Sequence, residues 1–264
     1  MKVSVLIENT TSRDDLAAEH GLSLLIETAG KTILFDTGQT GAFADNAEKM
    51  GFDLKTVDLA ILSHGHYDHG GGLKRFLELN DHAPVYLNKN AFEPHYPGTE
   101  KSIGVDPDLA NNKRLVTVGD EYVLGEGLSL HTCNGWKTTV PIDSFGLQML
   151  DHGKLVPDDF RHEQYLLVKD GDRTILFSGC SHKGILNIVD WFRPDVLVGG
   201  FHFKKLDPAD PVGRKRLTKA AELLLPYPTR YYTGHCTGVE QYEFLKGIMG
   251  DRLSYLSTGQ AVTL

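Results

Sequence analysis

Ser63-His64-Gly65-His66-Tyr67-Asp68-His69-Gly70-Gly71-Gly72 places three imidazoles and a carboxylate within six residues, directly after the apolar run 57–62. The run reads as a buried strand, and the glycines behind it let the backbone turn tightly into a helix starting near Leu73. Neutral imidazole is the commonest side-chain ligand of transition metals, and a carboxylate among imidazoles suits a divalent ion that activates water. His64 and His66, two apart on an extended segment, project to one side. Asp68 and His69 follow the bend and reach a second position nearby. Twelve histidines spread over 264 residues have no bland reason to crowd in this way. The stretch reads as a metal site.

Around it the chain has ordinary globular proportions: 41% hydrophobic and 23% charged residues, enough for a sizeable core. The length fits one large domain, residues 1–264, with halves meeting near residue 130. A formal net charge of −8 argues against broad nucleic-acid binding through a basic surface. The exposed-looking run Arg214, Lys215, Arg216 reads as a solvated helix face. No apolar run approaches the ~18 residues that span a bilayer, and residues 1–12 read as a first strand rather than a signal peptide. Three cysteines without a CxxC pair suggest free thiols and a cytoplasmic setting.

In chain order, strands are expected at 2–8, 22–28 and 31–35, with a turn at Ala29-Gly30 between the last two. Asp36-Thr37-Gly38 breaks the third strand, and Asp36 there can orient a ligand or cap the following helix as an Asx turn. A helix is expected over 41–50, the metal-bearing strand over 57–62, a helix over 73–79 and a strand over 84–87. Residues 93–113 are rich in Pro, Gly, Asn and charge. An irregular stretch of that length inside a domain suggests a lid, and His95 and Tyr96 within it read as surface residues. Further strands are expected at 114–118, 121–125, 128–132, 145–150 and 164–169, and helices at 184–192, 211–225 and 239–247.

The second half echoes the first. Arg173-Thr174-Ile175-Leu176-Phe177 repeats Lys31-Thr32-Ile33-Leu34-Phe35 through the shared Thr-Ile-Leu-Phe, and 194–202 parallels 57–64 at nearly the same offset. Two related halves follow, each ending its strands at one crevice. The residues at those ends are Cys180, Ser181, His182, His202, His235 and Cys236. Cys180 reads equally as a thiolate ligand and as a small core residue. His182, at the start of a helix, is free to point into the crevice. His202 and Ser181 are candidates for substrate contact, with a structural histidine the alternative at His202.

His-x-His-x-Asp-His at the end of a strand resembles the signature of the metallo-β-lactamase superfamily, over nearly the whole chain. The resemblance implies an α/β fold, a four-layer αββα sandwich, with one or two metals at the edge between its sheets. It also implies that Asp36 supports the metal site and that His235, in its Gly-His setting, completes the second metal. Many members carry a Gly-His pair before the second repeat that supplies a third imidazole. Here the sequence is His131-Thr132-Cys133-Asn134-Gly135, without that histidine. His182 is the better substitute and His131 the weaker one. At 180, members often place a bridging Asp, and here a cysteine stands.

Gly-Cys-Ser-His (179–182), Gly-Gly-Phe-His (199–202) and His-Cys-Thr-Gly (235–238), with Glu8-Asn9 and His20-Gly21, narrow the resemblance to a branch of metal-dependent hydrolases. That branch includes an archaeal synthase joining a dihydropterin pyrophosphate to a phosphorylated aminobenzene riboside. The expectation is a hydrolase in which His64, His66 and His182 hold one ion and Asp68, His69 and His235 the other. Zinc comes first, with manganese, iron and nickel also compatible. Asp68 would steer the attacking water toward an ester, lactone or phosphoester of a small molecule. The rivals are the synthase reaction and a non-catalytic metal-stabilised binding protein. A flavodiiron-like oxidoreductase is disfavoured, because His66 stands where a diiron site takes an acidic ligand.

Overall fold

Lys31–Phe35 and Arg173–Phe177 occupy the same place in two seven-stranded sheets. The computed structural model describes residues 1–28, 30–98 and 101–264. In the first sheet the order is Ala261–Thr263, Lys2–Ile7, Ser23–Thr28, Lys31–Phe35, Leu59–Ile61, Val85–Asn88 and Leu115–Val118. Pairing is antiparallel as far as Lys31–Phe35 and parallel beyond it. The second sheet runs Glu121–Gly125, Leu128–His131, Tyr165–Asp170, Arg173–Phe177, Val196–Val198, Arg230–Thr233 and Leu253–Tyr255. It switches from antiparallel to parallel at the equivalent strand, Arg173–Phe177.

The shared tetrapeptide explains how the layers stack. Successive side chains on a strand point to opposite faces. Ile33, Phe35, Ile175 and Phe177 point into the space between the sheets, where they pack with Val5, Leu24, Leu130 and Val198. Leu34 points outward against Phe43, Leu73 and Phe76 of the helices Ala42–Lys49 and Leu73–Leu79. Leu176 points to the opposite exterior, against Ile188, Leu217 and Leu245 of Ile185–Phe192, Pro211–Leu224 and Val239–Met249. A strand covered on both faces needs an unbroken apolar run, which is what Thr-Ile-Leu-Phe supplies. The result is an α/β sandwich of helix, sheet, sheet and helix layers.

Hydrogen bonds repeat with the sequence. Asp58 accepts the Thr32 N–H at 2.7 Å and returns its own N–H to the Thr32 carbonyl at 2.9 Å. Asp195 and Thr174 make the same two bonds at the same distances. The strand leading into His64 is shorter than the run 57–62, at Leu59–Ile61, because Asp53 caps a 3-10 turn over Leu54–Thr56 that ends at Val57.

The stretch 93–113 is more ordered than its composition suggests. His95–Tyr96 pairs with Gln148–Asp151, which pairs in turn with Lys154–Pro157, and Pro107–Leu109 forms a 3-10 turn. Thr99 and Glu100, within the expected lid, and Ala29, in the expected turn, lie outside the described residues. Arg214, Lys215 and Arg216 are exposed, and Arg216 pairs with Asp143 at 2.7 Å. Among the described residues, no helix is long and apolar enough to cross a membrane. Cys133, Cys180 and Cys236 are buried free thiols.

Candidate metal centre

Parallel strands deliver their carboxyl ends to one rim, the usual place for a ligand in such sheets. Asp36 follows Phe35, His64 to His69 follow Leu59–Ile61, and Cys180 to His182 follow Phe177. His202 follows Val196–Val198, and His235 follows Arg230–Thr233. Asp36, Ser181, His202 and His235 all have left-handed backbones, with φ of 61°, 56°, 56° and 50°. Each such non-glycine residue costs roughly 1–3 kcal/mol, and strain of this kind gathers where side chains must be aimed. Gly65 is required for another reason, since a Cβ there would collide with the Ala91 carbonyl.

His64, His69, Cys180, His182 and His235 are all less than 5% exposed, and His66 and Asp68 less than 10%. Hydrogen bonds fix the tautomers of three of the imidazoles. Asp36 accepts the Ser63 hydroxyl and the His69 Nδ1–H through the same oxygen, each at 2.7 Å. His69 Nε2 therefore presents a lone pair once the ring has given up its second proton. With its proton given to Asp36, the Ser63 hydroxyl has only lone pairs left for His64 Nδ1 at 2.8 Å, so Nε2 of His64 is also free. Asn9 Oδ1, oriented by the Gly21 N–H, accepts Nδ1–H of His235 at 2.8 Å and leaves Nε2 free there too.

These lone pairs converge. His69 Nε2 lies 3.1 Å from His235 Nε2 and 3.1 Å from Cys180 Sγ, and Asp68 Oδ2 lies 3.2 Å from His235 Nε2. His64 Nε2 lies 3.2 Å from His182 Nε2, and ring nitrogens of His64, His66 and His182 fall within 4.8 Å of one another. Ligands at about 2.0 Å from a tetrahedral ion stand about 3.3 Å apart, so these separations fit zinc-sized cations. Facing lone pairs at such distances repel unless a cation or a shared proton lies between them. The donor set fits one or two divalent ions.

Electrostatics agree with the geometry. Burial alone would push His69 down, but Asp36 and Asp68 bring it up to about 9. Burial also pushes His64, His66 and His182 well down, helped by their neighbouring imidazoles. Against burial, His69, with His20 and His235 beside it, holds the Asp68 carboxyl well below the usual range. Burial raises the Cys180 thiol well above its ordinary value, so it becomes a thiolate only beside a cation.

A cavity of about 270 Å³ opens beside these groups, lined by Asp68, Cys180, His182, Pro97, Ile103 and Leu147 among others. His20, His66, His202, Lys204 and Lys205 also reach it. His202 is among the residues that line the cavity. Ser181 is not: its hydroxyl lies 2.6 Å from Ser178 Oγ and is shut in, so the expected contact is withdrawn. His131 is also set aside as a ligand, since its Nε2 lies 2.8 Å from Ser129 Oγ and its ring packs on Phe192.

His95 is corrected as well. It is fully buried rather than at the surface, and its Nδ1–H donates to Asp158 at 2.8 Å. Sequence reasoning passed over His162, Glu163, Asn9 as a ligand partner, and His20 as a neighbour of Asp68 at 3.3 Å. The available signal was a set of polar residues, Arg161-His162-Glu163-Gln164, directly before a buried strand.

The family model of the metallo-β-lactamase superfamily matches residues 17–235. An uncharacterized protein of Methanocaldococcus jannaschii is 30% identical over 250 residues, which cover 84% of this chain and 94% of that one. From the same organism, 7,8-dihydropterin-6-methyl-4-(beta-D-ribofuranosyl)-aminobenzene-5'-phosphate synthase is 29% identical over 252 residues, covering 84% of this chain and 82% of the synthase. The solved structure of Tm1679, described as a metal-dependent hydrolase of the beta-lactamase superfamily, superposes with a TM-score of 0.80. It is 28% identical and covers 100% of this chain and 99% of its own. This protein belongs to the metallo-β-lactamase superfamily.

Proposed function

We propose that the protein is a metal-dependent hydrolase of a small molecule carrying an ester, lactone or phosphoester bond. The observation that carries this is the convergence of Asp68, His69 and His235 beside His64, His66 and His182, with Asp68, His66 and His182 on the cavity wall. When bound there, a divalent ion supplies Lewis-acid polarisation and lowers the pKa of water. Zinc is the metal that the nitrogen-rich donor set favours, with manganese, iron or nickel as substitutes.

The chain's own groups do the rest. Asp68 Oδ2, on the cavity wall, orients a water and takes its proton, with His20 at 3.3 Å holding the carboxylate in place. His202, Lys204 and Lys205 line the same cavity and suit an anionic group on the substrate, and Pro97, Ile103 and Leu147 suit an apolar body. Neither a membrane nor a nucleic acid is called for as partner. The three free thiols favour a reducing compartment such as the cytoplasm.

A second reading rests on the 29% identity to the M. jannaschii synthase. In it the same cavity joins a dihydropterin pyrophosphate to a phosphorylated aminobenzene riboside and releases pyrophosphate. The test is a panel of phosphodiester, lactone and carboxylic ester substrates with zinc- or manganese-loaded protein, in parallel with pyrophosphate release from the pterin pair. Turnover in the panel that falls at least 100-fold in Asp68→Asn supports the hydrolase. Pyrophosphate release that needs the riboside supports the synthase. Stoichiometric metal with no turnover in either assay leaves the metal-stabilised binding protein.

A further inference from the structure

Beside His66 lies a second cluster. His66, His95, Asp158 and His162 are all buried and bring one ring nitrogen or carboxylate oxygen each within 4.8 Å of the others. Three imidazoles and a carboxylate invite another cation, and the hydrogen bonds argue against it. His162 Nδ1 accepts the Gly65 N–H at 2.9 Å, so its proton sits on Nε2, 3.5 Å from Asp158 Oδ2. A nitrogen that keeps its proton is not a ligand. Both oxygens of Asp158 are engaged besides, Oδ2 taking the His95 Nδ1–H at 2.8 Å and Oδ1 the Phe160 N–H at 2.7 Å.

With its proton on Nδ1, His95 has a lone pair on Nε2, buried and without a partner among the described residues. Nε2 of His66 is likewise buried and without a partner there, as is Nε2 of His162, whose ring lies over the face of His95 at 3.8 Å rather than edge-on to it. The rings of His95 and His66 stand edge to face, 5.4 Å apart between centroids at 76°. One lacks a donor and the other an acceptor.

We propose that His66 Nε2–H donates to His95 Nε2 across one water, so that Asp158 acting through His95 fixes the tautomer in which His66 offers Nδ1 to the metal centre. His95 and Asp158 are then positioning residues for that ligand. The arrangement supplies for His66 what Asp36 supplies for His69, Ser63 for His64 and Asn9 for His235. Outer partners of this kind are worth about 10–100-fold in metal affinity. The inference rests on the proposed metal-dependent function, because it concerns how one of its ligands is held.

Asp158→Asn is the discriminating change. The Phe160 N–H keeps the amide oxygen, so the amide NH2 turns toward His95 and forces its proton onto Nε2. That proton then meets the one on His66 Nε2, and His66 is driven into the wrong tautomer. The experiment uses the full chain, labelled with ¹⁵N-histidine and loaded with zinc, and long-range ¹H–¹⁵N correlation to read which nitrogen carries each proton. The expected pattern is Nδ1–H at His95 and Nε2–H at His66 and His162.

Zinc affinity, by competition titration, is expected to fall about 10–100-fold in Asp158→Asn and His95→Ala. His95→Gln, whose amide oxygen can accept, should recover part of the loss. Circular dichroism separates a lost fold from a lost ligand. A His95 proton on Nε2, a third zinc per chain, or unchanged zinc affinity in both variants overturns the proposal and leaves the proposed function standing. Wild-type protein that binds no zinc overturns both.

Discussion

The Glu163 carboxylate accepts the backbone N–H of His182 at 2.7 Å and holds the loop that carries a candidate ligand. Its second oxygen takes the Lys183 N–H at 3.0 Å and the Tyr165 hydroxyl at 2.6 Å. Burial raises this carboxyl, against Lys183 and its hydrogen-bond donors. The left-handed Ser181 directly before His182 needs such a clamp. Glu163→Ala should therefore lower stability by on the order of 3 kcal/mol in urea unfolding, through three orphaned donors. It should also lower bound metal per chain. Unchanged metal content would mean that His182 holds its place without the clamp.

Asp36 serves two imidazoles at once, His69 directly and His64 through Ser63. Asp36→Ala should weaken metal binding more than removal of any one outer partner, by at least 100-fold if the two losses multiply. Inductively coupled plasma mass spectrometry after dialysis reads the outcome. A loss no larger than that in Asn9→Ala would refute the double role.

Metal loading should release protons. His69, held up at about 9 in the metal-free protein, is protonated at pH 7 and must give up that proton to become a ligand. Calorimetric titration with zinc in buffers of different ionisation enthalpy should show close to one proton released per chain at pH 7. The number should fall toward zero as pH rises past about 9.

Acid should destabilise the metal-free fold. Burial pushes His162 down to about 4 and holds His64, His66 and His182 well below 6.5. Above pH 6.5 these groups are neutral in both states. As pH falls below 6.5 the unfolded chain takes up protons that the folded chain refuses, so stability is lost, for His162 until pH nears 4. That one histidine accounts for on the order of 3 kcal/mol. Thermal melts of chelator-treated protein between pH 7.5 and 4.5 should show the decline, and His162→Gln should flatten it.

Lys204 lines the cavity with no ion pair among the described residues, which makes it the cleaner probe of an anionic substrate. Lys205 is already donating to the Phe145 carbonyl. For an anionic ester, Lys204→Ala should raise KM several-fold with little change in kcat. For a neutral lactone it should do nothing. Equal effects on both would remove charge recognition from its role.

What could be read from the sequence was whatever lies contiguous in it. His64, His66, Asp68 and His69 fall within one turn of chain, and the strand-glycine-histidine pattern that flags His182, His202 and His235 is just as local. The Thr-Ile-Leu-Phe repeat disclosed the two sheets because strands buried on both faces need long apolar runs. His95 was misread because a Pro- and Gly-rich setting predicts exposure, whereas its short pairing with Met149 carries it inward. Asn9, Asp158, His162 and Glu163 act on groups tens to hundreds of positions away. Their roles exist only once the two sheets have met.

The matched pairs Thr32–Asp58 and Thr174–Asp195 sit at the start of the strands, opposite the rim where Asp36, His64 and Cys180 emerge. One pole of the molecule is thus latched twice in the same way, while the other holds the left-handed Asp36, Ser181, His202 and His235 and the cavity. Such a division lets a lineage rework the loops at the rim, exchanging Asp for Cys or lengthening a lid, without renegotiating strand order. An engineer seeking a new substrate should keep the latched pole intact and spend every substitution at the other.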